Sequence, residues 1–298
     1  MIRTNYSVFD YLAVGEVDKL WGLYVTGSGS ADIPPGTSYP PEVHPKSYMF
    51  DFQHGRVLSE YQIVFISGGK GTFESKETGT LEVEEGTVLL LFPGVWHRYT
   101  PGKATGWKEH WVSFNGTQAD IFRDNAILPL EQSVISIGLD ETTIELYQRI
   151  LESIESERIG FKETIAALTY QLIARINAIR RSRQFGGEDT NSFVQKSKAY
   201  IRDHIDQQID LERLASELGI GYSWFRRMFK HHTGLAPNQY VVQLKLNKAK
   251  DLLVNTALPL KQISTMLGFE SQFYFSKFFR NKTGVPPTRW RSRSRTRP

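Results

Sequence analysis

The 298-residue chain contains no cysteine. That absence excludes disulfides, thiolate nucleophiles and thiolate metal sites, and it agrees with a reducing compartment. Long hydrophobic runs are missing too. No apolar stretch approaches the ~18 residues of a membrane helix, and the opening MIRTNYSVFDYLAVGEVDKL lacks the continuous apolar segment of a secretory signal. The chain therefore reads as soluble and cytoplasmic, with no membrane partner. Histidines are few and scattered. His44, His54, His97, His110, His204, His231 and His232 make no His-x-His pair and no HExxH motif, so a 2-His or 3-His metal shell is hard to assemble. No metal, cofactor or catalytic residue is expected.

What is present first is an asymmetry of charge within a length that suits two ordinary domains. Residues 191–298 carry 19 Lys and Arg against 7 Asp and Glu, whereas residues 1–190 carry 17 against 25. The C-terminal part is basic enough to seek a polyanion, and the N-terminal part would be repelled by one. A solvated lysine-rich surface is the plainer reading of charge alone.

Hydrophobic patterning divides the chain at the same region. From about Tyr48 to Phe114 short runs such as YQIVFIS, LEVEEG, TVLLLF and HWVSF alternate apolar and polar residues, with SGGKG (67–71) and ETGT (77–80) as turns between them. This is the pattern of an antiparallel sandwich or barrel. From Glu141 the period becomes helical: Ile144, Tyr147, Ile150, Leu151 and Ile154, then Ile165, Leu168, Leu172, Ile176 and Ile179 after a break at Ile159 and Gly160. One apolar stripe per helix makes an αα-hairpin, with more apolar surface than one barrel face needs, so a homodimer through it is expected. The domains are thus 1–140, a β-barrel; 141–183, the hairpin; 184–190, a linker inside SRQFGGEDTN; and 191–298, an all-α domain ending in RSRSRTRP, which reads as a disordered basic tail.

The C-terminal domain repeats itself. Phe225, Arg227, Phe229, Lys230, Thr233, Gly234 and Pro237 recur as Phe275, Lys277, Phe279, Arg280, Thr283, Gly284 and Pro287; upstream, Leu211, Leu214, Leu218 and Gly219 match Leu260, Ile263, Leu267 and Gly268. The second turn carries one added residue. Each unit is a short helix, a glycine turn and a second helix, with Asp210 capping the first. Phe225, Met228 and Phe229 face inward on Leu211, Leu214 and Leu218, leaving Ser223, Arg226, Arg227 and Lys230 outside. In the second unit Phe275, Phe278 and Phe279 face inward, leaving Gln272, Phe273, Ser276, Lys277 and Arg280. Such a face suits the major groove: arginine pairs with guanine edges, glutamine reads adenine, phenylalanine presses on a thymine methyl and lysine holds phosphate. The helix joining the units, 240–255, spans roughly 24 Å at 1.5 Å per residue, so with helix widths added it can set two recognition helices about one DNA turn apart, ~34 Å. An ordinary amphipathic surface helix is the rival reading of either unit taken singly.

The double unit LASELGIGYSWFRRMFKHHTGLAPNQYV and ISTMLGFESQFYFSKFFRNKTGVPPTRW resembles the AraC/XylS family of bacterial transcription regulators over about residues 191–291. Lys245 stands where an arginine is usual, and Ser264 where alanine is more frequent. The stretches YQIVFISGGKGTF, LEVEEGTVLLLFPGVWHRY and WKEHWVSFNG are similar to the cupin-like, jelly-roll sensor domain of the sugar-responsive branch. The resemblance implies a ligand pocket containing His97, Tyr99 and Trp111, with His54 in the place of a pocket arginine and Glu109 in the place of a histidine. It also implies a double-stranded DNA operator and a small polyhydroxylated effector as partners, with RNA polymerase as a further one. Against the pocket stands the plainer reading that Trp107 and Trp111 are core and His97 is a structural histidine with its hydrogen bonds satisfied. Two further alternatives stay open: a cupin-type metal enzyme fused to a DNA-binding domain, and an architectural DNA-binding protein with no ligand.

Overall fold

A computed structural model describes residues 1–4, 6–40, 52–185 and 188–295. The chain divides into two compact units, Met1–Gln184 and Phe185–Pro298. His44 lies outside the described residues.

The first unit is a two-layer antiparallel barrel backed by helices. One layer runs β1 (Ile2–Arg3), β2 (Ser7–Tyr11), β3 (Tyr24–Ile33), β9 (Trp107–Asn115), β5 (Tyr61–Ser75), β7 (Thr87–Leu91) and β10 (Val134–Ser136) in spatial order. The other runs β6 (Gly79–Glu84), β5, β8 (Trp96–Pro101) and β4 (Arg56–Val57). Strand β5 therefore serves both layers: Tyr61 to Gly69 pair with β9, and Lys70 to Ser75 pair with β6. The segment SGGKG, expected as a turn between strands, is a bend inside one strand. A register shift between Ile66 and Gly68 makes the bend, and at Gly69, with φ +85°, a Cβ would lie 2.3 Å from the Gly106 carbonyl oxygen.

Residues on these strands alternate between two cores. Ile63, Phe65, Val88, Leu90, Val112 and Phe114 face the helices. Val64, Ile66, Leu89, Leu91, Trp107 and Trp111 face the barrel interior. Both faces are buried, which is why TVLLL reads as a continuous apolar run.

Helix α1 (Glu16–Lys19) and helix α2 (Thr117–Asp124) lie within the expected β-region. The hairpin consists of α3 (Glu141–Ser156) and α4 (Phe161–Phe185). Its stripe, Tyr147, Ile150, Ile154, Ile165, Leu168, Leu172 and Ile176, belongs to the same core as the outer face of the first layer, and the Tyr147 hydroxyl donates to the Ile63 carbonyl at 3.1 Å. The hairpin thus covers its own sheet, and the stripe expected to serve a second subunit is already occupied. Asp140 caps α3 by accepting from the Thr143 amide, and an ion pair to Arg175 on α4, at 2.6 Å, ties the two helices.

The second unit is all-helical. It contains α5 (Glu188–Asp203), α6 (Leu211–Glu217), α7 (Tyr222–Thr233), α8 (Pro237–Asn255), α9 (Leu260–Met266), α10 (Gln272–Thr283) and α11 (Pro287–Arg295). Two expectations are corrected here. The linker placed at 184–190 is helical up to Phe185 and again from Glu188, with 186–187 outside the described residues. The tail read as disordered continues α11 to Arg295, because Trp290 packs edge-on against Phe279 and Arg291 donates to the Leu258 carbonyl at 2.7 Å, which anchors the helix start; residues 296–298 lie outside the described residues.

Candidate functional sites: a barrel pocket and a basic helical face

Inside the barrel, side chains from six separate segments converge on one polar cavity. Tyr11 comes from β2, Tyr39 follows β3, Arg56 lies on β4, Glu60 immediately precedes β5 and Gln62 is on it, Tyr99 is on β8, and Glu109 and Trp111 are on β9. Arg56 organises its floor. One of its terminal nitrogens donates to the Tyr99 hydroxyl at 2.6 Å and to Gln62 Oε1 at 3.1 Å, while Gln62 Nε2 donates to Ser113 Oγ at 3.0 Å. Arg56 Nε donates to His97 Nε2 at 3.3 Å. His97 Nδ1 lies 3.0 Å from the Val95 carbonyl oxygen, which can only accept, so Nδ1 carries the proton and Nε2 is bare. Burial, with the Arg56 charge beside it, pushes the His97 imidazole down to about 4 and keeps it neutral.

Opposite the arginine, burial pushes the Glu109 carboxyl up to about 7, against the hydroxyl of Tyr39, which donates to it at 2.9 Å. Trp111 lies under Tyr11 with ring centroids 5.7 Å apart. The indole fits there because β3 carries glycine beside it: a Cβ on Gly29 would stand 2.7 Å from two Trp111 ring atoms. The free space between all these groups is about 30 Å³, room for a water or two, so a larger guest must push side chains apart. Chemically the site offers carboxyl, guanidinium, amide and phenol partners around an aromatic face, which suits a small guest rich in hydroxyl groups.

Of the expected pocket residues, Tyr99, Glu109 and Trp111 line the cavity. His97 does not; it sits behind Arg56. His54 is an exposed turn residue whose carbonyl accepts from Trp96 Nε1 at 2.8 Å, and the guanidinium arrives two positions later, from Arg56. Tyr11, Tyr39, Arg56, Glu60 and Gln62 were not among the expected pocket residues. The period-2 pattern of YQIVF could have pointed to Gln62, the polar residue that shares the barrel-facing side of the strand with Val64 and Ile66. No local signal marks Tyr39. Among the described residues no three His, Asp or Glu side chains are placed to hold a metal ion, and no helix there is long and apolar enough to cross a membrane.

In the second unit each helix pair closes on its own core. Leu211, Leu214, Ala215, Phe225 and Phe229 form one, with Met228 buried nearby, and Ile263, Leu267, Phe275 and Phe279 form the other, with Phe278 at its edge. Asp210 accepts from the Glu212 and Arg213 amides as expected of a cap. Ser264, buried in the place of Ala215, satisfies its hydroxyl on the Lys261 carbonyl at 2.7 Å, which explains why serine is tolerated there. Lys245 on α8 joins the two halves: its Nζ donates to the Gln207 carbonyl at 3.2 Å and lies 5.3 Å over the Phe269 ring. Gly268 approaches the same loop so closely that a Cβ would meet the Asp206 carbonyl carbon at 2.6 Å.

These contacts leave one polar face on each second helix. Ser223, Arg226, Arg227 and Lys230 are exposed on α7, and Gln272, Phe273, Lys277 and Arg280 are exposed on α10, while Ser276 is half-buried.

Comparison with known proteins agrees on both units. The family described as the AraC-like ligand binding domain matches residues 29–173, and a helix-turn-helix domain family matches residues 214–293. The MmsAB operon regulatory protein of Pseudomonas aeruginosa is 25% identical over 244 residues, covering 79% of this chain and 76% of its own length. The lactose operon transcription activator of Staphylococcus xylosus is 25% identical over 242 residues, covering 79% and 85%. The raffinose operon transcriptional regulatory protein of Pediococcus pentosaceus is 22% identical over 254 residues, covering 81% and 88%. The chain belongs to the AraC family of transcription regulators, as a ligand-responsive DNA-binding protein with a barrel for the ligand and a double helix-turn-helix for the DNA.

Proposed function

We propose that this regulator senses a sugar or a closely related polyhydroxylated molecule in the barrel pocket and, when the pocket fills, changes its grip on a specific operator. The observation that carries the reading is the convergence of Arg56, Gln62, Glu60 and Glu109 around the Trp111 indole: directional partners for hydroxyls beside a flat surface for C–H stacking. Relatives named for lactose and raffinose operons support the same ligand class. Ser223, Arg226, Arg227 and Lys230 on α7, with Gln272, Phe273, Ser276, Lys277 and Arg280 on α10, are the residues proposed to meet DNA. Within this reading the chain is a cytoplasmic regulator and not an enzyme, an activator that acts with RNA polymerase.

The homodimer belongs to the proposal on a new footing. The hairpin stripe is covered, and the apolar surface left on the barrel unit includes Val17, Leu20 and Trp21, which are 68%, 83% and 55% exposed. Sedimentation of the chain as a monomer at tens of micromolar would remove the dimer from the proposal. Thermal shift of the full chain against pentoses, hexoses and their acids tests the ligand class; one of them should raise the melting temperature and alter operator affinity at the same concentration. A screen in which none shifts the melt overturns it.

A further inference from the structure

The two DNA-facing helices are copies in their cores and not in their outer faces. Arg227 and Lys230 of α7 return as Lys277 and Arg280 of α10, so both helices keep a cationic pair one turn apart. Other positions diverge: Tyr222 becomes Gln272, Ser223 becomes Phe273, Trp224 becomes Tyr274 and Arg226 becomes Ser276. Their surroundings diverge as well. Trp224 is half-buried, edge-on to Phe193 of α5 with ring centroids 6.0 Å apart. Tyr274 is 55% exposed and Phe273 71% exposed, and their rings pack T-shaped at 5.9 Å. Among the described residues of this unit they are the most exposed large apolar side chains.

Burying no core, this pair leaves apolar surface in water on the first turn of α10, which Ser271 fixes by accepting from the Tyr274 amide at 3.3 Å. Phe273, Lys277 and Arg280 stand at i, i+4 and i+7, one stripe, with Tyr274 at its edge. A stripe of two aromatic rings followed by two cations suits a polyanion that presents an apolar group between its phosphates. In the major groove only thymine does so, through its C5 methyl.

We propose that Phe273 and Tyr274 read thymine methyl groups, so that the second unit selects a thymine-containing step where the first, with Arg226 and Arg227, selects guanine. The inference rests on the reading that α7 and α10 both enter DNA. The division follows from the side chains: Ser276 lacks the fork with which Arg226 can span a guanine edge, and Ser223 lacks the apolar surface of Phe273.

The test is selection of duplexes from a random pool by the full chain and by its F273A, Y274A and R226A variants, followed by replacement of each selected thymine with deoxyuridine, which removes only the methyl. The wild type should enrich thymine at one or two positions and lose about fourfold in affinity per methyl removed, the worth of one buried carbon. F273A and Y274A should lose that preference and the deoxyuridine penalty together, while R226A keeps both and relaxes other positions. Full indifference of the wild type to deoxyuridine overturns the inference. So does an F273A variant that selects the same sequence, and one that also sediments differently assigns the pair to a protein contact instead. A pool that yields no enriched sequence for the wild type sinks the DNA-reading proposal itself, whereas R226A-sensitive guanine with F273A-insensitive thymine sinks this inference alone.

Discussion

Arg56 Nε donates to His97 Nε2 at 3.3 Å, so a neutral histidine holds the guanidinium that lines the pocket. His97, expected to line the pocket, stands one step behind the arginine that does. A protonated His97 could not accept from Arg56, and burial is what prevents that protonation.

His97→Ala should therefore weaken effector binding by freeing Arg56, at a loss of about 1 kcal/mol, or several-fold in Kd. Because His97 is buried, alanine also leaves a cavity; His97→Gln, which keeps an acceptor, separates the two effects and should retain most affinity. Calorimetric titration with the sugar found by thermal shift checks this. Equal affinity of wild type and His97→Ala would leave His97 a packing residue only.

Stability should depend on pH through Glu109 with a definite sign. Its folded pKa, about 7, stands above the ordinary 4.5, so its contribution is whole below 4.5 and is lost as pH rises through 7, a loss of about 3 kcal/mol at most. His97 and His110 act oppositely: buried and held near 4 against 6.5, they contribute fully above 6.5 and lose that contribution as pH falls through 4. Urea melts from pH 4 to 8.5 should give a maximum near neutrality. Glu109→Gln should flatten the alkaline limb and steepen the acid one, because between 4.5 and 6.5 the carboxyl titration opposes that of the two histidines; limbs unchanged by the substitution would show that the carboxyl is already ionised across this range.

Gly29→Ala should displace the Trp111 indole, since the new Cβ would stand 2.7 Å from both the Phe9 Cβ and the Trp111 ring. The expected cost is about 1 to 3 kcal/mol of stability, with loss of effector binding beyond it. Trp111 fluorescence is crowded by the other tryptophans, so the comparison is best made with Trp111→Phe in both backgrounds. If Gly29→Ala binds as the wild type does, the indole is not the stacking surface.

On the DNA face, Arg226→Ala and Arg227→Ala should each relax preference at one or two operator positions, at about 1 to 3 kcal/mol of discrimination, and Lys277→Ala should do the same in the other half-site. Lys230→Ala should lower affinity for all sequences alike and reduce the salt slope by about one. Arginine variants that keep the selected sequence and merely bind more weakly would make the stripe an electrostatic anchor.

The helix-turn-helix units are almost wholly legible in the sequence, because most of what makes them is local. The inward stripe of Phe225, Met228 and Phe229, the Asp210 cap and the Gly219 turn lie within about twenty residues of chain, and the second copy removes the ambiguity of the first. The barrel was legible as a class and less so in detail. Strand β3, YVTGSGSADI, has too little β-branched character to read as a strand, since its glycines make room for Trp111. The SGGKG segment looks like a turn but bends a strand that both layers share.

By itself the sequence determined two domains, a DNA-binding helical repeat and an antiparallel barrel with helices, since hydrophobic period and charge are properties of neighbours along the chain. Only the tertiary structure decided the pocket. A shift of two positions exchanges exposed His54 for inward Arg56, and nothing nearby in sequence distinguishes them. Tyr39 and Glu109 meet across 70 positions of chain. Which polar side chains share a cavity is settled by strand register and by which face each strand turns inward, and a slip of one residue reverses that face. The same holds for the hairpin: its stripe announced burial, and only the packed core showed that the partner is the chain's own sheet.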